Sequence, residues 1–248
     1  MATQNSLNNS SDIFAVTSGI TNTTGTVTLN SGTSAFSLST DSSTTTVNLG
    51  SGAAAKTVTL GSIDTSSSLA LKFGTGNCTL ASATGTVMNM RNTGEITYPL
   101  QSAFLAYLAS DDNNVTGAGA TYTLGTPTAL TEIFDQNNDF ATGTFTAPVT
   151  GRYRFKSHFR LGALSALMTA IVYTLNTSNR LYKSGYISGA VAKNNANNLH
   201  RAADAFTDMD AGDTATLNIV VSNGAGDTAS ADADTPTVRI YFCGSLIC

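Results

Sequence analysis

Between Val27 and Met90 the apolar residues come as pairs split by one polar position: Val27/Leu29, Phe36/Leu38, Val47/Leu49, Val58/Leu60, Leu69/Leu71, Cys78/Leu80 and Met88/Met90. Successive pairs begin nine to eleven residues apart. Apolar–polar–apolar is the period of a short strand with one buried face, and the Ser-, Thr-, Gly- and Asn-rich segments between the pairs are turn chemistry. Each repeat therefore predicts one strand and one turn. From Gln101 onward longer strand-like runs replace the pairs. They cover Ala103–Ala109, Thr121–Leu124, Ala129–Phe134, Arg152–Leu161, Leu167–Leu175, Leu181–Ile187, Thr214–Val221 and Val238–Leu246. Eight or more short strands in under 150 residues predict a β-sandwich or jelly roll. Asn198–Ala205 is the one helix-like stretch.

Composition divides the chain at the same place. The first hundred residues hold seven charged side chains and the rest hold twenty-one, with the boundary near Tyr98-Pro99. Ser/Thr-rich sequence of this kind ordinarily reads as a disordered linker. Regular spacing is what disorder does not require. A strand with two apolar side chains cannot build a core alone. If three copies wind about one axis, their apolar pairs meet in a central seam while Ser and Thr face water, and the exposed strand edges disappear. The prediction is an all-β chain: segment 1–25 as an N-terminal anchor, 26–98 as a trimeric β-repeat shaft (β-spiral or β-helix), and 99–248 as a globular head. The shaft core is then Val27, Leu29, Phe36, Leu38, Val47, Leu49, Val58, Leu60, Leu69 and Leu71.

The stretches Ser43–Ser62 and Ser66–Ser82 resemble the fibrous shafts of viral and bacteriophage fibres. The head carries a second resemblance. Ile133-Phe134-Asp135 through Asp139-Phe140, followed by Gly143-Thr144-Phe145-Thr146-Ala147-Pro148-Val149-Thr150-Gly151-Arg152-Tyr153-Arg154-Phe155, is similar to the signature of the C1q/TNF-like superfamily. Ser102-Ala103-Phe104, Ala211–Leu217 and Phe242–Ile247 resemble that family's first strand, late Gly-Asp turn with its strand, and closing strand, in the family's order. The resemblance implies a C1q/TNF-like jelly-roll head with Phe134, Phe145, Pro148, Gly151, Tyr153 and Phe155 as its core motif. It also implies that Arg152–Leu161 belongs to the sheet facing a threefold axis.

Alternation in that strand puts Tyr153, Phe155, Phe159 and Leu161 on one face and Arg152, Arg154, Lys156, His158 and Arg160 on the other. The second set would be a basic face at the trimer axis, with Glu132, Asp135, Asp139 or an anion as the expected counter-charge. An acidic-glycan site and ordinary solvated side chains are the competing readings. Gly151 and Gly212 are expected in tight turns. In the loop Gly224–Asp234, Asp227, Asp232 and Asp234 are candidate ligands for a calcium ion, a solvated apical loop being the alternative; Asp208, Asp210 and Asp213 form a similar cluster. Cys78 occupies a repeat position and is expected in the core, and Cys243 and Cys248 are close enough in sequence to leave a disulfide open.

Charged residues make up 11% of the 248, under half the usual share of about 25%, and the net charge is −4. That balance argues against a nucleic-acid partner. The sequence has no apolar run of 18 residues for a membrane span, and its start lacks a basic-then-apolar secretory pattern. Two histidines, no paired carboxylates in an acid/base setting and no phosphate-binding glycine loop leave no catalytic residues to name, so a non-enzyme without an obligate cofactor is expected. The combined expectation is a homotrimeric virion fibre or spike made in the host cytoplasm and carried on the virion surface. Its N-terminus would join a capsid, portal or tail protein, and its head a host cell-surface protein or glycan. The alternative is a bacterial surface or spore-coat adhesin with the same head.

Overall fold

The computed structural model of the protein describes Val47, Leu49, and residues 56–61, 68–187 and 197–248. The chain divides into two units, Met1–Ala70 and Leu71–Cys248. In the first unit, the described repeat residues Val47, Leu49, Val58, Leu60 and Leu69 belong to no strand and are each more than half exposed in the single copy. Val27, Leu29, Phe36, Leu38 and the anchor segment 1–25 lie outside the described residues.

The second unit is all β among its described residues. A small antiparallel sheet comes first, β1 (Cys78–Ser82), β2 (Gly85–Met90) and β3 (Ile96–Thr97), in that spatial order. Two of the expected repeat pairs thus pair with each other, Cys78 opposite Met90 and Leu80 opposite Met88. Cys78 is half-buried and Leu80 exposed, so the core position expected for Cys78 is not filled within one copy. Amide side chains tie the following segment to the head: Gln136 Nε2 donates to the Tyr98 carbonyl at 2.7 Å, Asn137 Nδ2 to that of Leu100 at 2.9 Å, and Gln101 Nε2 to that of Leu246 at 2.8 Å.

Thirteen strands build the head among the described residues. They are β4 (Ala103–Tyr107), β5 (Asp112–Thr116), β6 (Thr121–Thr123), β7 (Thr131–Asp135), β8 (Phe140–Ala141), β9 (Thr144–Thr146), β10 (Gly151–Gly162), β11 (Ala170–Thr177), β12 (Leu181–Ile187), β13 (Leu199–Met209), β14 (Thr214–Ser222), β15 (Ala229–Ala231) and β16 (Tyr241–Leu246). One sheet runs β7-β4-β16-β10-β13, with β15 and β5 continuing from the far end of β10; the other runs β12-β11-β14-β9-β8, with β6 also on β14. All pairings are antiparallel. The chain passes repeatedly between the sheets, and their inward faces enclose one core.

Aromatic rings fill one end of that core. Phe104 stacks on Phe140 and Phe145 at 4.4 and 5.2 Å, and Phe155 packs against Phe145 and Phe242 at 5.3 and 5.6 Å. Gly244 makes the room, since a Cβ there would sit 2.5 Å from the Phe155 ring. A second tie crosses the sandwich: the Tyr122 hydroxyl on β6 donates to Asp112 Oδ2 on β5 at 2.5 Å, both residues being buried. Burial, then the Asp112 carboxylate, holds the Tyr122 phenol protonated far above its ordinary range. Asp112→Ala leaves that phenol without an acceptor and is expected to cost about 1–3 kcal/mol. The check is a lower denaturant midpoint at unchanged slope. Gly143 has φ +76°, and a Cβ there would meet the Leu124 carbonyl oxygen at 2.1 Å. Gly143→Ala therefore combines a disfavoured backbone with a clash, and a loss of about 1–3 kcal/mol is expected in the same assay.

Several expectations are corrected. Asn198–Ala205 is not helical; it opens β13, which pairs with β10 residue for residue from Leu199↔Leu161 to Met209↔Gly151. The alanines at 202, 203 and 205 favour a helix locally, but eleven cross-strand partners override that propensity. Strands β5 and β15 fall where no strand was expected, because Asp112-Asn113-Asn114 and Ala229-Ser230-Ala231 read as loop. Gly151 is not a turn glycine: it starts β10, and a Cβ there would lie 2.8 Å from the Cys248 carbonyl oxygen. Gly212, at φ +91°, does sit in the turn before β14. Phe134 and Pro148 are exposed rather than core, whereas Phe145, Tyr153 and Phe155 are buried.

Candidate functional site

Strand β10 sets the geometry of the outward face of the larger sheet. Its even-numbered residues point away from the core because the odd-numbered set, Tyr153, Phe155, Ser157, Phe159 and Leu161, is buried. Register then lines up rows across the strands. Phe206, Arg154, Ser245 and Ala103 form one row. Asp204, Lys156, Cys243, Leu105 and Phe134 form the next. Ala202, His158, Tyr241, Tyr107 and Thr131 form a third. A one-residue slip would send each row into the core.

The cations on this face find acids on β13 and on the segment after β15, not Glu132, Asp135 or Asp139. Arg154 grips Asp204 with both guanidinium arms, its Nε donating to Oδ1 at 2.9 Å, and its Cζ lies 5.2 Å from the Phe206 ring centre. The Asp204 carboxyl is held below its ordinary range chiefly by that hydrogen bond. Both partners are about 40% exposed, so screening keeps the contribution to stability small. Asp135 instead accepts from the backbone N–H groups of Asp139 and Phe140 at 3.1 and 2.9 Å, closing the turn before β8. Lys156 and Arg152 have no ion pair among the described residues.

At the far end of β10, Arg160 pairs with Asp232 at 3.3 Å and Arg239 with Asp234. Burial raises the Asp232 carboxyl despite the opposing pull of Arg160. His158 Nδ1 donates to the Arg239 carbonyl at 2.6 Å, and its ring stacks on Tyr241 and lies 5.6 Å from that of His200. Partial desolvation, then Arg160 and His158, lowers the His200 imidazole below its ordinary range.

The carboxylates proposed for calcium are separately engaged. Asp227 Oδ1 accepts from the Ala118 N–H at 2.7 Å, Asp234 pairs with Arg239, and Asp232 lies over Gly162, where a Cβ would come within 2.1 Å of its Oδ2. In the second acidic cluster, Asp208 pairs with Arg180, while Asp213 accepts from the Asp210 N–H at 2.8 Å. No group of three His, Cys, Asp or Glu side chains suited to a metal is present among the described residues. All three cysteines are free thiols.

Between β7, β4, β16 and β10 the outward face dips into a groove of about 350 Å³. Leu105 and Phe134 give its lining an apolar part, and Cys243, Ser245, Arg154 and Lys156 a polar and charged part. Sequence reasoning found Arg154 and Lys156 by alternation and missed Leu105, Phe206 and Tyr241, whose shared face depends on long-range register. Phe206 carried one usable signal: an aromatic between two aspartates, at a spacing of two, in a stretch misread as helical.

Strand order defines the head as an all-β, two-sheet jelly-roll sandwich with a charged and aromatic outward face. No family model matches the chain, and no curated protein matches it. Among solved structures it is similar to murine APRIL at 9% identity, TM-score 0.39, over 59% of this chain and 99% of that one. It is similar to the globular domain of zebrafish complement 1qA at 21% identity and TM-score 0.36, over 59% and 98%, and to the PRD1 vertex protein P5 at 8% and 0.41, over 72% and 86%.

Proposed function

We propose that the protein is a homotrimeric attachment fibre or spike of a viral particle. A β-repeat shaft carries a jelly-roll head that binds a host cell-surface protein or glycan, and the N-terminal segment meets a capsid, portal or tail protein. The observation that carries this reading is the set of repeat pairs: Val58, Leu60, Leu69 and Leu71 keep a strand-like spacing yet stay more than half exposed in one copy. Apolar residues repeated at fixed spacing with no partner in their own chain call for other copies, and three chains around one axis supply a seam. Three heads on one stalk then give avidity from weak individual sites. The role is one of structure and binding, without catalysis.

The test has two arms. Light scattering on the full chain is expected to return three times the 25.5 kDa chain mass. Antibody raised against the chain is expected to decorate particles in electron micrographs and block their attachment to host cells. A one-chain mass overturns the shaft, and decoration of bacterial cell walls or spores in place of particles moves the protein to the adhesin class.

A further inference from the structure

The segment between β15 and β16, residues 232–240, belongs to no strand, yet it is pinned to the larger sheet along its length. At its start the Asp232 N–H donates to the Arg160 carbonyl at 3.1 Å, and the Asp232 carboxylate pairs with the Arg160 guanidinium at 3.3 Å. Further on, the Ala233 N–H donates to Asp111 Oδ1 at 2.7 Å and the Thr235 hydroxyl to the Ala109 carbonyl at 2.8 Å. At its end the Arg239 carbonyl accepts from His158 Nδ1 at 2.6 Å, and that of Ile240 from the Leu108 N–H at 3.0 Å. A segment without a ladder of its own opens locally when a few such contacts weaken.

His200 stands beside this hold. Register sets it directly opposite Arg160 across the β10–β13 pair, so the two side chains share a face. The groups that act on its ring are His158 and Arg160 from β10 and Asp232 and Arg239 from the segment. Asp234 is taken up by Arg239, Asp111 acts on Asp232, and Tyr241 on β16 stacks on His158. A neutral imidazole fits among these groups, whereas an imidazolium opposes a guanidinium across the pair, and like charges directly opposite are destabilising. We propose that residues 232–240 are an acid-released strap: a proton taken up at His200 sets a cation against Arg160 and Arg239 and loosens the strap's hold on the sheet.

The direction follows from linkage. Desolvation, then Arg160 and His158, put the His200 imidazole below its ordinary value of 6.5. The folded head binds this proton more weakly than the unfolded chain does, so the stability concerned is whole above 6.5 and is lost as pH falls from there through the lowered value. The Asp232 carboxyl, raised by burial, contributes with the opposite sign, and a variant at position 200 separates the two. One copy carries every group involved, so the strap does not rest on the trimeric reading.

The test is amide hydrogen exchange on the full chain at low salt, at about pH 8 and about pH 5, corrected for the intrinsic pH dependence of exchange. Protection of the Asp232 and Ala233 amides is expected to fall about two- to fivefold from the higher pH to the lower, the size of one exposed like-charge pair. His200→Gln, which cannot take the proton, is expected to keep the high-pH protection at both values. His200→Lys, which carries the charge throughout, is expected to show the lower protection at both. The side chain is exposed, so both variants are expected to fold. Equal protection of the parent at the two pH values, or a fall of the same size in His200→Gln, overturns the proposal.

Discussion

Phe155→Ala is expected to lower the stability of the head by about 3–5 kcal/mol. The ring is 2% exposed and touches aromatics from four strands: Phe104 on β4, Phe145 on β9, Tyr153 beside it on β10 and Phe242 on β16. Strands from both sheets therefore meet on this one side chain. Removing it leaves a cavity that the flanking rings cannot close, because Phe104 is itself stacked between Phe140 and Phe145. Domains of this size are stable by only about 5–15 kcal/mol, so the variant loses a large fraction of the total. Chemical denaturation measures it, with Arg152→Ala as the control. Arg152 lies three residues away on the exposed face, and its change is expected to stay within about 0.5 kcal/mol. Equal losses at both positions would mean that β10 does not alternate between core and surface.

That alternation is the part of the fold most legible in the sequence. In Gly151–Gly162 every second residue is large and apolar or small and buried, and the charged set between them has no other face to occupy. Strands with fewer such residues were hidden. β13 offers Leu199 and Met209 as the large apolar side chains of its inward set, with Arg201, Ala203, Ala205 and Thr207 between, so local propensity reads helix and only pairing with β10 makes it a strand. β15 is three small buried residues within an acidic loop. The basic column on β10 was readable from spacing alone. Its counter-charges were not, because Asp204 and Asp232 reach Arg154 and Arg160 through contacts some fifty and seventy residues distant in sequence. Glu132, Asp135 and Asp139 were nearer in sequence, but the Asp135 carboxylate is spent on its own turn.

Leu69→Asp with Leu71→Asp is expected to open the shaft while sparing the head. In one copy both leucines are nearly 60% exposed, so for a solitary chain the double substitution exchanges surface leucines for surface carboxylates and changes little. In a three-chain seam the consequence reverses. Each copy loses two buried leucines, worth about 1.5–3 kcal/mol apiece, and six carboxylates crowd the axis without counter-charges, each at a desolvation cost of several kcal/mol. Lys56 and Lys72 place trypsin sites on either side of the altered pair. The unaltered chain is expected to resist cleavage at both, and the variant to be cut at least tenfold faster there while its head keeps the same unfolding transition. Leu69→Ile, which preserves apolar volume, is expected to behave like the parent. Cleavage of the parent itself at the rate of an unstructured peptide would make residues 26–98 a Ser/Thr-rich linker, because a seam that buries the repeat pairs also hides the lysines beside them.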